Sequence, residues 1–145
     1  MDNLLKAFLR SDHAGEVGAV YIYKGILKIA KDPELVNFSK RHLATEESHL
    51  QKIEAVLPKK DRSKLVWLWR VAGFLLGFLP TLFGPKIVFA TIEAVEAFVE
   101  EHYEEQLKYL RAQPNPNQEL IDLLQSCHGM TAKDLSALGL SLIHI

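Results

Sequence analysis

The sequence predicts an all-α protein, most simply a four-helix bundle with one hydrophobic helical segment inserted into it. Three observations carry that expectation. Apolar residues recur at three- and four-residue spacing along most of the chain, whereas strand-like alternation is almost absent. Prolines and glycines gather in a few clusters that divide the chain into helix-length pieces. With 145 residues and 48% hydrophobic composition, the chain can bury the core of one domain.

The breakers set the elements, in order. A first helix is expected over 2–31. Asp32-Pro33 ends it and starts the next, with Asp32 as N-cap and Pro33 at the first helical position. The second helix is expected over 34–57, and the charged loop Pro58-Lys59-Lys60-Asp61-Arg62-Ser63 comes after it. A third segment spans 65–78, with Pro80 and Gly84-Pro85 as the breakers beyond its end. A fourth helix is expected over 86–112. Pro114-Asn115-Pro116-Asn117 reads as a turn, and a last helix covers 117–128. No internal repeat is visible at solenoid spacing.

The segment Leu65 to Leu79 is apolar nearly all round, so it is either deeply buried or lipid-facing. It is too short to span a bilayer alone. Trp67 and Trp69 beside Lys64 and Arg70 form the aromatic-plus-cation pattern of a membrane interface. A shallow or re-entrant contact with a membrane surface is therefore the expectation, with a core helix as the main alternative and a true span as the last.

Charge and cysteine content exclude other classes. Lys plus Arg number 17 and Asp plus Glu 18, so the basic excess of a nucleic-acid binder is missing. The one cysteine, Cys127, excludes an internal disulfide framework and a Cys-rich zinc site. The first residues, Met1 to Glu16, turn polar too early for a signal peptide and are too acidic for a transit peptide. A reducing, cytoplasmic setting is expected.

Ionisable residues fall where a core should be. One stripe of the first helix holds Leu5, Leu9, Asp12, Glu16, Ala19, Tyr23 and Ile26. The second carries Leu35, Phe38, His42, Glu46, His49, Ile53 and Val56. The fourth segment carries Phe89, Ile92, Glu96, Val99, Tyr103 and Leu110. A buried carboxylate is costly unless something compensates it, and three helices each bring one. Glu46 and His49 also stand at the Glu-x-x-His spacing by which bundle cores hold di-iron sites. Carboxylates with a few imidazoles suit iron or manganese better than structural zinc. Asp12 is placed to orient a metal ligand from behind.

The blocks Asp12-His13-Ala14-Gly15-Glu16, Glu46-Glu47-Ser48-His49, Ala94-Val95-Glu96 and Glu101-His102-Tyr103 resemble the demethoxyubiquinone hydroxylase family. The resemblance runs from about residue 3 to 128 and includes Leu68-Trp69. It implies a ferritin-like bundle holding two iron ions. Glu16 would be a terminal ligand of the first iron, Glu46 would bridge the pair, His49 would complete the first, and Glu96 would serve the second. His102 and Tyr103 match a pair associated with substrate and electron transfer; Arg10, Asp12 and His13 match as well. The implied activity is hydroxylation of a polyprenyl demethoxyquinol by O₂ in ubiquinone biosynthesis, with electrons from NADH or a quinol. The implied setting is peripheral, on the cytoplasmic face of a bacterial inner membrane. Other ubiquinone-biosynthesis proteins or further copies of the chain are the implied partners, and no nucleic acid.

The family closes its site with a second Glu-x-x-His, and near the corresponding positions this chain has Thr131 and Asp134. The likeness dissolves after Gly129. Residues 1–129 are therefore read as a hydroxylase domain with an incomplete last helix, and 130–145 as a non-native tail. Cys127 and His128 are the neighbouring candidates for substitute ligands. Two other readings compete: a non-catalytic iron-binding bundle, and a structural bundle on a membrane surface whose site is lost. The apolar segment 65–79 argues against a soluble storage cage.

Overall fold

The computed structural model describes residues 2–128, and among them every regular element is helical. Helices α1 (Asn3–Ile29), α2 (Pro33–Val56), α3 (Val66–Thr81), α4 (Pro85–Arg111) and α5 (Gln118–His128) succeed one another, with a 3-10 turn at Lys59–Asp61. The expected tail and the positions of Thr131 and Asp134 lie outside the described residues. The chain forms two compact units, one up to Val88 and one from Phe89 onward.

In the first unit, α1 packs on both α2 and α3. Local chemistry sets its ends. Asp2 accepts a hydrogen bond from the Leu5 N–H and caps α1, and Asp32 accepts from Leu35 N–H and caps α2, with Pro33 at its first turn as expected. Leu9, Ile26, Leu35, Phe38 and Ile53 are fully enclosed. Each such side chain contributes about 1.5–3 kcal/mol by leaving water. Tyr23 and His42 stack with ring centres 5.8 Å apart, and His42 lies 4.1 Å from the Phe38 ring. An imidazole is thus part of the aromatic seam between α1 and α2.

The α1–α3 contact depends on glycine. Gly73 and Gly77 are the only buried residues of α3. A Cβ on Gly73 would fall on the Gly18 carbonyl, and one on Gly77 on the Ile22 carbonyl. From the other side, a Cβ on Gly25 would meet the Phe74 backbone. The two backbones approach closely because no side chain stands between them.

α3 differs from its expected extent by running past Pro80. Proline lacks an N–H, but here it falls in the last turn, where little helical bonding remains to be lost. Gly84, at φ 108°, then turns the chain into α4. The outer face of α3 and the turn after it expose Trp67, Trp69, Leu75, Leu79 and Phe83, the last at 77%. The core-helix alternative does not hold, because α3 buries only its glycine stripe. No described helix is long and apolar enough to cross a membrane.

In the second unit, Tyr103, Gln106, Leu107 and Leu110 of α4 are buried. Asn117 caps α5 by accepting from Leu120 N–H, and Leu120, Ile121, Leu124 and Cys127 form its buried face. Arg111 donates to the Gln125 side chain at 3.3 Å.

Candidate metal centre

Glu16 on α1 and Glu46 and His49 on α2 meet inside the first unit. All three side chains are almost completely enclosed. The His49 Nδ1 lies 3.2 Å from the Glu46 Oε2 and 3.8 Å from the Glu16 Oε2. Helix geometry explains the convergence. Glu46 and His49 are one turn apart on the α1-facing side of α2, and Glu16 lies on the facing stripe of α1. Asp12, one turn before Glu16, is buried on the same helix.

Burial alone would disfavour a charged imidazole at His49, but the hydrogen bonds and negative charges of Glu16 and Glu46 outweigh it. Its pKa is raised from 6.5 to about 9. A proton on Nδ1 therefore sits between two carboxylates at neutral pH. The other ring nitrogen, Nε2, is buried and has no hydrogen-bond partner among the described residues.

The donor set fits a hard divalent metal: two acceptor-only carboxylates and the Nδ1 of one imidazole, all three side chains buried. Because the ligating imidazole must be neutral, metal uptake near pH 7 would release the His49 proton.

The raised pKa also gives the metal-free chain a defined pH response. A group whose folded pKa lies above its unfolded value stabilises the fold fully below 6.5 and loses that contribution as pH rises through about 9. The shift corresponds to about 3 kcal/mol. Chemical denaturation of the metal-free chain is expected to show stability falling across this window. His49→Gln should flatten the decline, and an unchanged slope in that variant would place its origin elsewhere.

The remaining expected site residues lie on α4. Glu96 is half-buried, His102 is half-buried and stacks on Phe98 with ring centres 6.4 Å apart, and Tyr103 is 2% exposed. They belong to the second unit.

The motif pattern gave no role to the side of α2 bearing Glu47 and Glu54. His13 Nε2 lies 3.0 Å from the Glu54 Oε1. Arg62 reaches the same carboxylate at 3.5 Å and donates to the Leu57 and Glu54 carbonyls. The seven-residue spacing of Glu47 and Glu54, on one helix face, was the available signal. Arg10 donates to the Asp61 carbonyl at 2.8 Å and so ties α1 to the 3-10 turn.

Comparison with known proteins gives a consistent answer. The family described as ubiquinone biosynthesis protein COQ7 matches residues 3–133. A 3-demethoxyubiquinol 3-hydroxylase of Rhodospirillum rubrum is 38% identical over 122 residues, covering 82% of this chain and 58% of that protein. An NADPH-dependent 3-demethoxyubiquinone 3-hydroxylase, mitochondrial, of Caenorhabditis elegans is 33% identical over 124 residues, covering 83% and 66%. A 5-demethoxyubiquinone hydroxylase, mitochondrial, of Saccharomyces cerevisiae is 30% identical, covering 97% and 66%. The chain thus spans 58% to 66% of the length of these curated relatives.

Proposed function

We propose, since this chain belongs to the COQ7 family of ubiquinone biosynthesis proteins, that it hydroxylates a polyprenyl demethoxybenzoquinol with O₂. The observation that carries the reading is the enclosed Glu16–Glu46–His49 cluster on two packed helices. In this reading Glu16, Glu46 and His49 would hold one iron, and Glu96 would serve a second. Iron held there supplies the activation of O₂ that ring hydroxylation requires, one oxygen atom entering the quinol and the other leaving as water with two electrons and two protons.

The chain's own residues provide the rest. Glu16 and Glu46 present acceptor oxygens from opposite helices, and His49 gives up the Nδ1 proton that otherwise lies between them. The buried aromatic seam of Tyr23, Phe38 and His42 lies between the same two helices. His102 and Tyr103 are the substrate-side pair. Electrons come from a reduced nicotinamide or a quinol; the names of several relatives specify NADPH.

The exposed apolar face of α3 rests on a membrane surface, where the prenylated substrate resides. In a bacterium this is the cytoplasmic face of the inner membrane. Other enzymes of ubiquinone biosynthesis, or further copies of the chain, are the partners in this reading.

The test is turnover with labelled dioxygen. Iron-loaded chain, a demethoxyquinol analogue, a reductant and ¹⁸O₂ are expected to give a product carrying one labelled oxygen. Recovery of the unmodified quinol, or a product whose new oxygen comes from water, would contradict the proposal.

A further inference from the structure

The first unit also holds a cleft, separate from the carboxylate–histidine cluster. A cleft of about 530 Å³ opens between α1, α2, the 3-10 turn and the first turns of α3. Its size lies within the range of small-molecule sites and exceeds what a bare inorganic ion needs. Val17, Val20 and Tyr21 of α1 and Val66 of α3 give it apolar and aromatic walls.

Its charge is unbalanced. Lys24, Lys59, Arg62 and Arg70 line it, as do Glu47 and Glu54. Arg62 already lies 3.5 Å from Glu54, and the buried His13 holds the same carboxylate at 3.0 Å. That internal pairing leaves Lys24, Lys59 and Arg70 against Glu47. The cleft wall is therefore fixed by Arg62, which is anchored to the Leu57 and Glu54 carbonyls, while the surplus positive charge stands at the mouth. Lys24 is held there over the Tyr21 ring at 4.7 Å.

We infer that this cleft binds a phosphate ester, its phosphate on Lys24, Lys59 and Arg70 and its organic body against the Val17–Tyr21 wall. A surplus of about two positive charges matches a phosphate group better than a single carboxylate, and arginine with two lysines is a phosphate-binding set. A soluble ester and an anionic lipid headgroup share this chemistry, the second because Trp67 and Trp69 stand exposed in the same turn of α3 as Val66 and Arg70. The inference does not depend on the hydroxylase reading, because none of these side chains belongs to the metal cluster.

The experiment uses the full chain with two probes. Adenosine diphosphate is titrated by calorimetry, and vesicles of phosphatidylcholine, alone or with added phosphatidylglycerol, are tested by flotation. Binding of the nucleotide, or preference for phosphatidylglycerol, identifies the soluble or the lipid source respectively. In either case Lys59→Gln and Arg70→Gln should each weaken binding about tenfold, the loss of one charge-assisted hydrogen bond. Glu47→Gln should tighten it, and Lys40→Gln, on an exposed part of α2 away from the cleft, should leave it unchanged. Circular dichroism confirms that each variant is folded. Absence of both binding activities, or a lipid preference that the cleft variants do not alter, would overturn the proposal.

Discussion

Glu46→Gln is expected to reduce hydroxylation of a demethoxyquinol by more than about a hundredfold while leaving the helical content intact. Glutamine keeps the size of the side chain but replaces an anionic acceptor with a neutral amide, one end of which donates rather than accepts. If Glu46 serves both irons, as the family resemblance implies, that change would be felt twice. It exceeds the 10–100-fold typical of a residue that only orients a ligand. The variant should also pull the His49 pKa down toward its ordinary value, because one of the two carboxylates that raise it is gone. Turnover and an NMR titration of the His49 ring read the two effects separately. Retained activity with a lowered His49 pKa would mean that the cluster exists but is not where the chemistry occurs.

Gly77→Ala is expected to destabilise the first unit by about 3 kcal/mol and lower the melting temperature by roughly 10 °C. The new methyl group would meet the Ile22 carbonyl, which belongs to a helix and has no freedom to rotate aside. α3 must move off α1, and the buried contact at Gly73 is lost with it. Gly15→Ala makes the control: nothing lies within 4 Å of its Cβ position, so it should be neutral or stabilise α1 by up to about 1 kcal/mol. Equal effects of the two substitutions would show that α1 and α3 do not approach as described.

The helices were legible in the sequence because their ends are written in short-range chemistry. Asp32-Pro33 starts α2 as the capping rules require, and Gly84-Pro85 starts α4. Pro80 misled by three residues, since a proline in the last turn of a helix is tolerated. The cluster of Glu16, Glu46 and His49 was readable from mid-stripe placement, which depends only on helical period. The role of α3's glycines was not. Periodicity shows that a segment is apolar but not which side another backbone approaches, and that approach is decided by where side chains are missing. The cleft was hidden for a related reason. Lys59 and Arg62 looked like solvated loop charges, and only the fold brings them beside Lys24 and Arg70.

The central claim is that Glu16, Glu46 and His49 form a metal site, and anaerobic equilibrium titration with Fe²⁺ tests it most directly. In weakly buffered solution near pH 7, the chain is expected to bind iron and to release about one proton as His49 becomes neutral. His49→Ala and Glu16→Gln should each weaken that binding at least about tenfold, and His49→Ala should also abolish the proton release. Iron binding of equal affinity and unchanged proton release in both variants would contradict the account.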